Sequence, residues 1–149
     1  MDDEKLIQFL NRELSNFTVL YIKLHRYHWY IQGKNFFTLH QFFENLYLEF
    51  SELIDVLAER ILSIGGRPLA TMSKFLDQKT IVEASADNEE REILKQLKDD
   101  FAQMANEIRE TGIPLAEERK DDATVNDLTC CLKRFDKHIW MLNAFMDQR

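Results

Sequence analysis

Three features of the sequence predict an all-α fold built as a four-helix bundle. Apolar residues recur at three- and four-residue steps through four long stretches, and punctuation is sparse, with four Gly and two Pro in 149 residues. The composition is 45% hydrophobic and includes eleven Phe, which is enough apolar matter for a core and excludes intrinsic disorder. The length suits one domain over residues 1–149 that works through a single core or through copies of itself.

The first helix is expected from about Asp3 to Ile31, where Leu6, Leu10, Leu14, Phe17, Tyr21, Leu24 and His28 share one face and Gly33 follows as a stop. A second pattern starts near Thr38, a candidate N-cap, and carries Phe43, Leu46, Tyr47, Phe50, Ile54, Leu57 and Ile61 to the Gly65-Gly66 pair. The linker between them is short, so the two helices should be antiparallel. Periodicity then lapses from Gly66 to about Ala86, except for two possible turns between Thr71 and Gln78. A helix of ~26 residues is ~40 Å long, and this connector can reach ~55 Å, so it can cross the whole bundle and make the second and third helices parallel. The third helix is predicted from about Asn88, as cap, to Thr111, with Gly112 and Pro114 ending it. The fourth starts near Asp121 or Asp122, both candidate N-caps, and continues through Leu128, Leu132, Phe135, Ile139, Leu142 and Phe145. Four long helices, with one long crossover that holds a short extra helix between the second and third, describe a ferritin-like bundle.

Charge narrows the function. Nineteen Lys and Arg against 26 Asp and Glu give a net charge of −7, the wrong sign for a phosphate backbone and the right one for cations. No apolar run reaches the ~20 residues that a membrane span needs, and Met1-Asp2-Asp3-Glu4 lacks the order of a secretory signal, so a cytoplasmic location is expected. Cys130 and Cys131 are adjacent and lack any zinc-type spacing, so both are expected as reduced residues of a helix.

The second helix carries four metal-type ligands, His40, Glu44, Asp55 and Glu59, in two i, i+4 pairs. With His40 at zero they fall at roughly 0°, 40°, 60° and 100°, while the apolar face centres near 280°. A charged stripe opposite the core is commonly a solvated face. Two details oppose that here: Leu48 and Ser51 interrupt the stripe, and His28 lies near the height of His40 on the first helix. His40 and Asp55 are 15 residues apart, or ~22 Å along a helix, which no single metal centre spans. One chain cannot close such a site, whereas an antiparallel two-fold partner brings Asp55 and Glu59 of one subunit to His28, His40 and Glu44 of the other. Imidazole plus carboxylate without thiolate suits Fe(II) or Mn, and can take Zn. Trp29, beside His28, is read either as interface packing or as an electron donor.

The stretches Lys23-Leu-His-Arg-Tyr-His-Trp29, Gly33-Lys-Asn-Phe-Phe-Thr-Leu-His40, Ala58-Glu-Arg-Ile-Leu62, Gly65-Gly66 and Asp136-Lys-His-Ile-Trp140 closely resemble the Dps family of mini-ferritins over nearly the whole chain. The resemblance implies that His28, His40, Glu44, Asp55 and Glu59 are intersubunit ferroxidase ligands for two iron ions, with Glu44 where many relatives have Asp. It implies a homododecamer that oxidises Fe(II), preferably with hydrogen peroxide and otherwise with dioxygen, and stores ferric mineral, protecting against oxidative damage. It also implies that Asp121 and Asp122, with Asp127 one turn on, line acidic iron pores. His25 and His138 are read as packing or surface residues.

The competing function is DNA binding and compaction, which the family name suggests. Here the first helix begins almost at once after an acidic start, and twelve subunits at −7 sum to −84, a strong repulsion for phosphate. DNA binding is therefore not expected.

Overall fold

The computed structural model describes residues 2–147, with only the backbone of Asp2; Met1 of the acidic start, and Gln148 and Arg149 at the end of the predicted domain, lie outside the described residues. Among those described there are helices and no strand: α1 (Asp2–Tyr30), α2 (Phe36–Ser63), α3 (Met72–Gln78), α4 (Glu90–Glu107), a π-helical turn (Ile108–Gly112), α5 (Ile113–Glu118) and α6 (Asp122–Phe145). None is long and apolar enough to cross a membrane.

The side-chain pairs between helices fix their directions. His28 meets His40 and Phe17 meets Phe50 across α1 and α2, Tyr27 meets Gln96 and Asn16 meets Glu107 across α1 and α4, and Arg60 meets Thr124 and Glu49 meets His138 across α2 and α6. In each pair the residue numbers run in opposite senses, so α1 is antiparallel to both α2 and α4. Consequently α2 and α4 are parallel, as the long crossover predicts. The core is tied at its middle by one Phe from each long helix: Phe17, Phe50, Phe101 and Phe135 are fully buried, with ring centroids 5.4 Å to 6.1 Å apart.

The helix ends agree with the sequence in some places and correct it in others. Gly65 adopts φ +89° and donates to Leu62 O, while Gly66 N donates to Ile61 O at 2.8 Å, the Schellman pattern that stops α2. A Cβ on Gly66 would lie 2.8 Å from Ile61 and 2.9 Å from Ile7, so only glycine lets the turn pack there. Thr71, read as the first residue of the short helical piece, is instead the cap of α3, and Asp121 caps α6 by accepting from Thr124 N, whereas Asp122 is already inside that helix. Thr38 is not the cap of α2. That helix starts two residues earlier, at Phe36, because Asn35 at the cap position turns its side chain away to donate to Glu90 Oε1 at 2.8 Å. Asn88 is not the cap of α4 either: its amide donates to Gln32 Oε1, and Glu89 caps the helix through Glu92 N.

The largest difference lies at Gly112 and Pro114, which do not end the third long helix. The π turn absorbs one extra residue and α5 carries the rod on to Glu118. Gly112 is there for space, since a Cβ would stand 2.3 Å from the Phe9 ring. Pro114 sits in the first turn of α5, where its missing N–H costs no helical bond.

The crossover is held by a polar ladder on α1. Asn11 bonds to Arg67 O and Leu69 N, Asn16 to Thr80 N and Ile81 N, Lys23 to Val82 O, and Arg26 to Ala86 O. Lys23 also pairs with Asp100 in a buried ion pair. Burial pushes the Asp100 carboxyl up to about 6 against the pull of Lys23.

Candidate metal centre

The last turn of α1 and the first turns of α2 present His28 and His40 to each other. Their rings stack at 3.7 Å and 11°, and each Nδ1 donates to the other's backbone carbonyl at 2.7 Å. A carbonyl only accepts, so in the neutral rings the proton sits on Nδ1 and the Nε2 lone pair is left open. This is the arrangement that second-shell contacts impose on metal-binding histidines, here supplied by the two histidines' own backbones. Phe36 stacks on the far side of His40 at 4.8 Å, and the Tyr47 ring meets the edge of His28 at 5.4 Å. Glu44 follows one turn along α2, its Oε1 3.8 Å from His28 Nε2. Three of the five expected ligands thus lie at one end of the stripe in one chain, without converging on a common metal position among the described residues.

Asp55 and Glu59 are not part of that group. They lie exposed three to four turns along the same face, and among the described residues neither carboxylate has an ion-pair or hydrogen-bond partner. Among the same residues no three His, Cys, Asp or Glu side chains converge as a metal site. Between the two halves the stripe carries exposed apolar side chains: Leu48 is 55% and Val56 45% exposed. An apolar strip of this kind between charged ends is a surface made to be covered.

Around the histidines the structure gathers aromatic side chains that periodicity places in the core. His25 stacks on Tyr47 at 3.8 Å, donates from Nδ1 to the Tyr21 carbonyl at 2.8 Å, and stands 5.6 Å from Trp29. Burial, and then the Glu44 carboxylate, push the Tyr47 phenol above its ordinary value. Trp29 itself is 68% exposed. His25 packs, as read, but it packs into the wall of the centre. His138 is half-buried and its Nε2 meets Glu49 at 2.8 Å, a packing role as well. Of the cysteines, Cys131 is buried and Cys130 exposed, both free.

At the acidic end, the three candidate pore residues differ. Burial alone would raise Asp121, but bonds from Thr124 and the guanidinium groups of Arg60 and Arg119, at 3.3 Å and 3.6 Å, hold it below the usual carboxylate range. Asp122 is exposed. Asp127 is raised by burial, with Arg60 opposing.

Comparison with known proteins agrees with the fold. Residues 7–149 match the ferritin-like domain family. General stress protein 20U of Bacillus subtilis is 43% identical over 143 residues, covering 96% of this chain and 98% of that protein. The crystal structure of a Dps protein from Bacillus brevis superposes with a TM-score of 0.94 at 41% identity, covering 97% of each chain. The Dps protein of Vibrio cholerae O1, described as a member of a broad superfamily of ferritin-like diiron-carboxylate proteins, gives 0.93 at 36% identity, covering 97% of this chain and 91% of that one.

Proposed function

Because this chain belongs to the ferritin-like proteins and, among them, to the Dps family, we propose that it is a cytoplasmic mini-ferritin, acting as one unit over residues 1–149. It oxidises Fe(II) at a centre shared by two subunits and stores the ferric product in a hollow dodecamer. The observation that carries this reading is the contrast within one stripe. Two histidines are locked with open Nε2 lone pairs beside Glu44, and two carboxylates on the same helix have no partner of their own.

An antiparallel two-fold neighbour supplies what each half lacks: His28, His40 and Glu44 face Asp55 and Glu59 of the partner subunit, and the dimer holds two such centres. The donor set fits ferrous iron as substrate, with Zn or Mn as surrogates. Carboxylates hold Fe(III) better than imidazole does, so the mixed set admits Fe(II) and favours its oxidation. Two bound Fe(II) give one electron each to one hydrogen peroxide; its O–O bond breaks, both oxygens leave as water after taking two protons, and no hydroxyl radical is released. Dioxygen is the slower oxidant. Where a centre meets peroxide with one Fe(II) bound, Trp29, exposed at the edge of the His25–Tyr47 stack, would give the second electron and be left as the oxidised indole radical. At the pore, Asp121 is neutralised by Arg60 and Arg119, so Asp122 and Asp127 carry the attraction for Fe(II).

Anaerobic titration with Fe(II) followed by peroxide tests this reading. Uptake should break at two Fe(II) per subunit, and the ferric absorbance should rise with one peroxide consumed per two iron. Peroxide loss that does not depend on iron, or no saturable uptake, contradicts it.

A further inference from the structure

The iron chemistry leaves one buried acid unused. Glu13 of α1 is wholly buried and shares an amide with Glu107 of α4: Asn16 Nδ2 stands 3.5 Å from Glu13 Oε1 and 3.2 Å from Glu107 Oε1. The two acids are served unequally. Glu107 accepts from Asn16, from the Thr80 hydroxyl at 2.6 Å and from Gln103 Nε2 at 3.3 Å, three donors that suit an ionised carboxylate. Apart from Glu107 itself, Glu13 has only the long contact from Asn16. Its Oε2 is buried without a hydrogen-bond partner among the described residues, and the nearest cation, Arg12 Nε, is 3.8 Å away.

With Glu13 wholly buried, Glu107 half-buried and both drawn to the same Asn16 amide, the doubly charged pair is disfavoured, because neither acid brings a donor and burial weakens the screening between them. Burial, and then the hydrogen bond and charge of Glu107, push Glu13 well above the ordinary range. Burial alone would raise Glu107 too, but its bonds with Glu13, Thr80 and Gln103 hold it below. The other groups facing the pair do not replace that proton. Arg12 on α1 is a third exposed, Thr80 and Gln103 are neutral, and Cys131 on α6 is a thiol that burial pushes up to about 12. Asp127 and Arg134 act on that thiol in opposite directions.

The pair closes on the crossover. Asn16 Oδ1 accepts from Thr80 N at 2.7 Å and Ile81 N at 3.1 Å, and Asn16 Nδ2 donates to Thr80 Oγ1 at 2.8 Å. The amide that aligns the acids is thus the one that holds the chain two residues after α3. With α1, α3 walls a half-open cavity of about 290 Å³ lined by Val19, Ile22, Met72, Phe75 and Leu76.

We propose that Glu13 and Glu107 hold one shared proton, and that this proton is the clasp that closes the crossover onto the bundle at Thr80 and Ile81. Losing it in alkaline solution sets two negative charges side by side, frees that segment and loosens the α3 wall. The device is independent of the iron centre.

Amide hydrogen exchange at Thr80 and Ile81 in the assembled protein tests it, read as protection relative to the free-chain rate at each pH. If opening releases one proton, protection should fall about tenfold per pH unit from pH 6 upward until the proton is lost. In Glu13→Gln, which keeps the shape and removes the charge, protection should not change with pH. Equal pH dependence in both proteins overturns the proposal. Infrared spectra of wild-type protein carrying ¹³C-labelled glutamate provide a check that needs no variant. A carboxylic-acid C=O band should persist at pH 7.5, where ordinary glutamates are ionised, and its absence also overturns the proposal.

Discussion

Glu13 with Glu107 and Asp55 with Glu59 are two pairs of acids in opposite surroundings. The first pair is enclosed by its own chain: an amide, a hydroxyl and a second amide hold it, and its charge problem is solved locally by a proton. The second pair is exposed and has no partner among the described residues. Carboxylates without partners at a water-facing site cost the fold little, so they can be kept for a ligand. The contrast separates residues that hold the bundle from residues that wait for another subunit.

If that separation is right, stability and activity should part company. Asp100→Ala leaves Lys23 buried without its partner, and should cost about 3–5 kcal/mol in urea unfolding, with residual iron oxidation by the folded fraction intact. Asp55→Ala with Glu59→Ala should stay within about 0.5 kcal/mol of wild type and yet abolish rapid oxidation at low iron. A large stability loss in that double variant would break the comparison.

His40→Ala sits between these extremes, because His40 belongs to both classes. It removes a ligand and also the stacked, reciprocally bonded pair with His28. The fold should lose about 1–3 kcal/mol and rapid oxidation should disappear, as thermal melting and stopped-flow absorbance would register together.

The ligand spacing was legible because a helix converts sequence separation into angle and height, so His40, Glu44, Asp55 and Glu59 could be placed before any contact was known. The long crossover was legible for the same reason, from the length of α2. The polar ladder of Asn11, Asn16, Lys23 and Arg26 was not, since on α1 these residues resemble a wet face, and what covers them is a segment without periodicity. Gly112 and Pro114 misled for a related reason. As local signals they stop a helix, and only the Phe9 ring, a hundred residues away in sequence, shows why Gly112 is needed inside one. His25 and Tyr47 were read as packing, and nothing in their spacing tells that Tyr47 meets His28 and carries His25 on its face.

A smaller effect is expected at the α6 cap. Asp121→Ala should cost about 1 kcal/mol at pH 7. The folded-state value of Asp121 lies below the ordinary 3.8, so its contribution is present above that ordinary value and fades as the pH falls through the lowered one. The gap between wild type and variant in melting temperature should therefore narrow in strong acid. The smallest expected effect is none at all. Metal-free protein should not retard duplex DNA at neutral pH and moderate salt, because a net charge of −7 per chain opposes phosphate; a clear gel shift would show a local basic patch outweighing the total.

The shared centre is tested most directly by complementation. One variant carries His28→Ala with His40→Ala and another carries Asp55→Ala with Glu59→Ala, so each alone lacks one half of every centre. In a mixed dimer one centre inherits both defects, and the other joins the intact histidines of the second variant to the intact carboxylates of the first. Random co-assembly makes about half of the dimers mixed, each with one good centre, so roughly a quarter of wild-type rapid oxidation should return. Mixed assemblies, verified by mass, that oxidise Fe(II) no faster than either parent would contradict the shared centre.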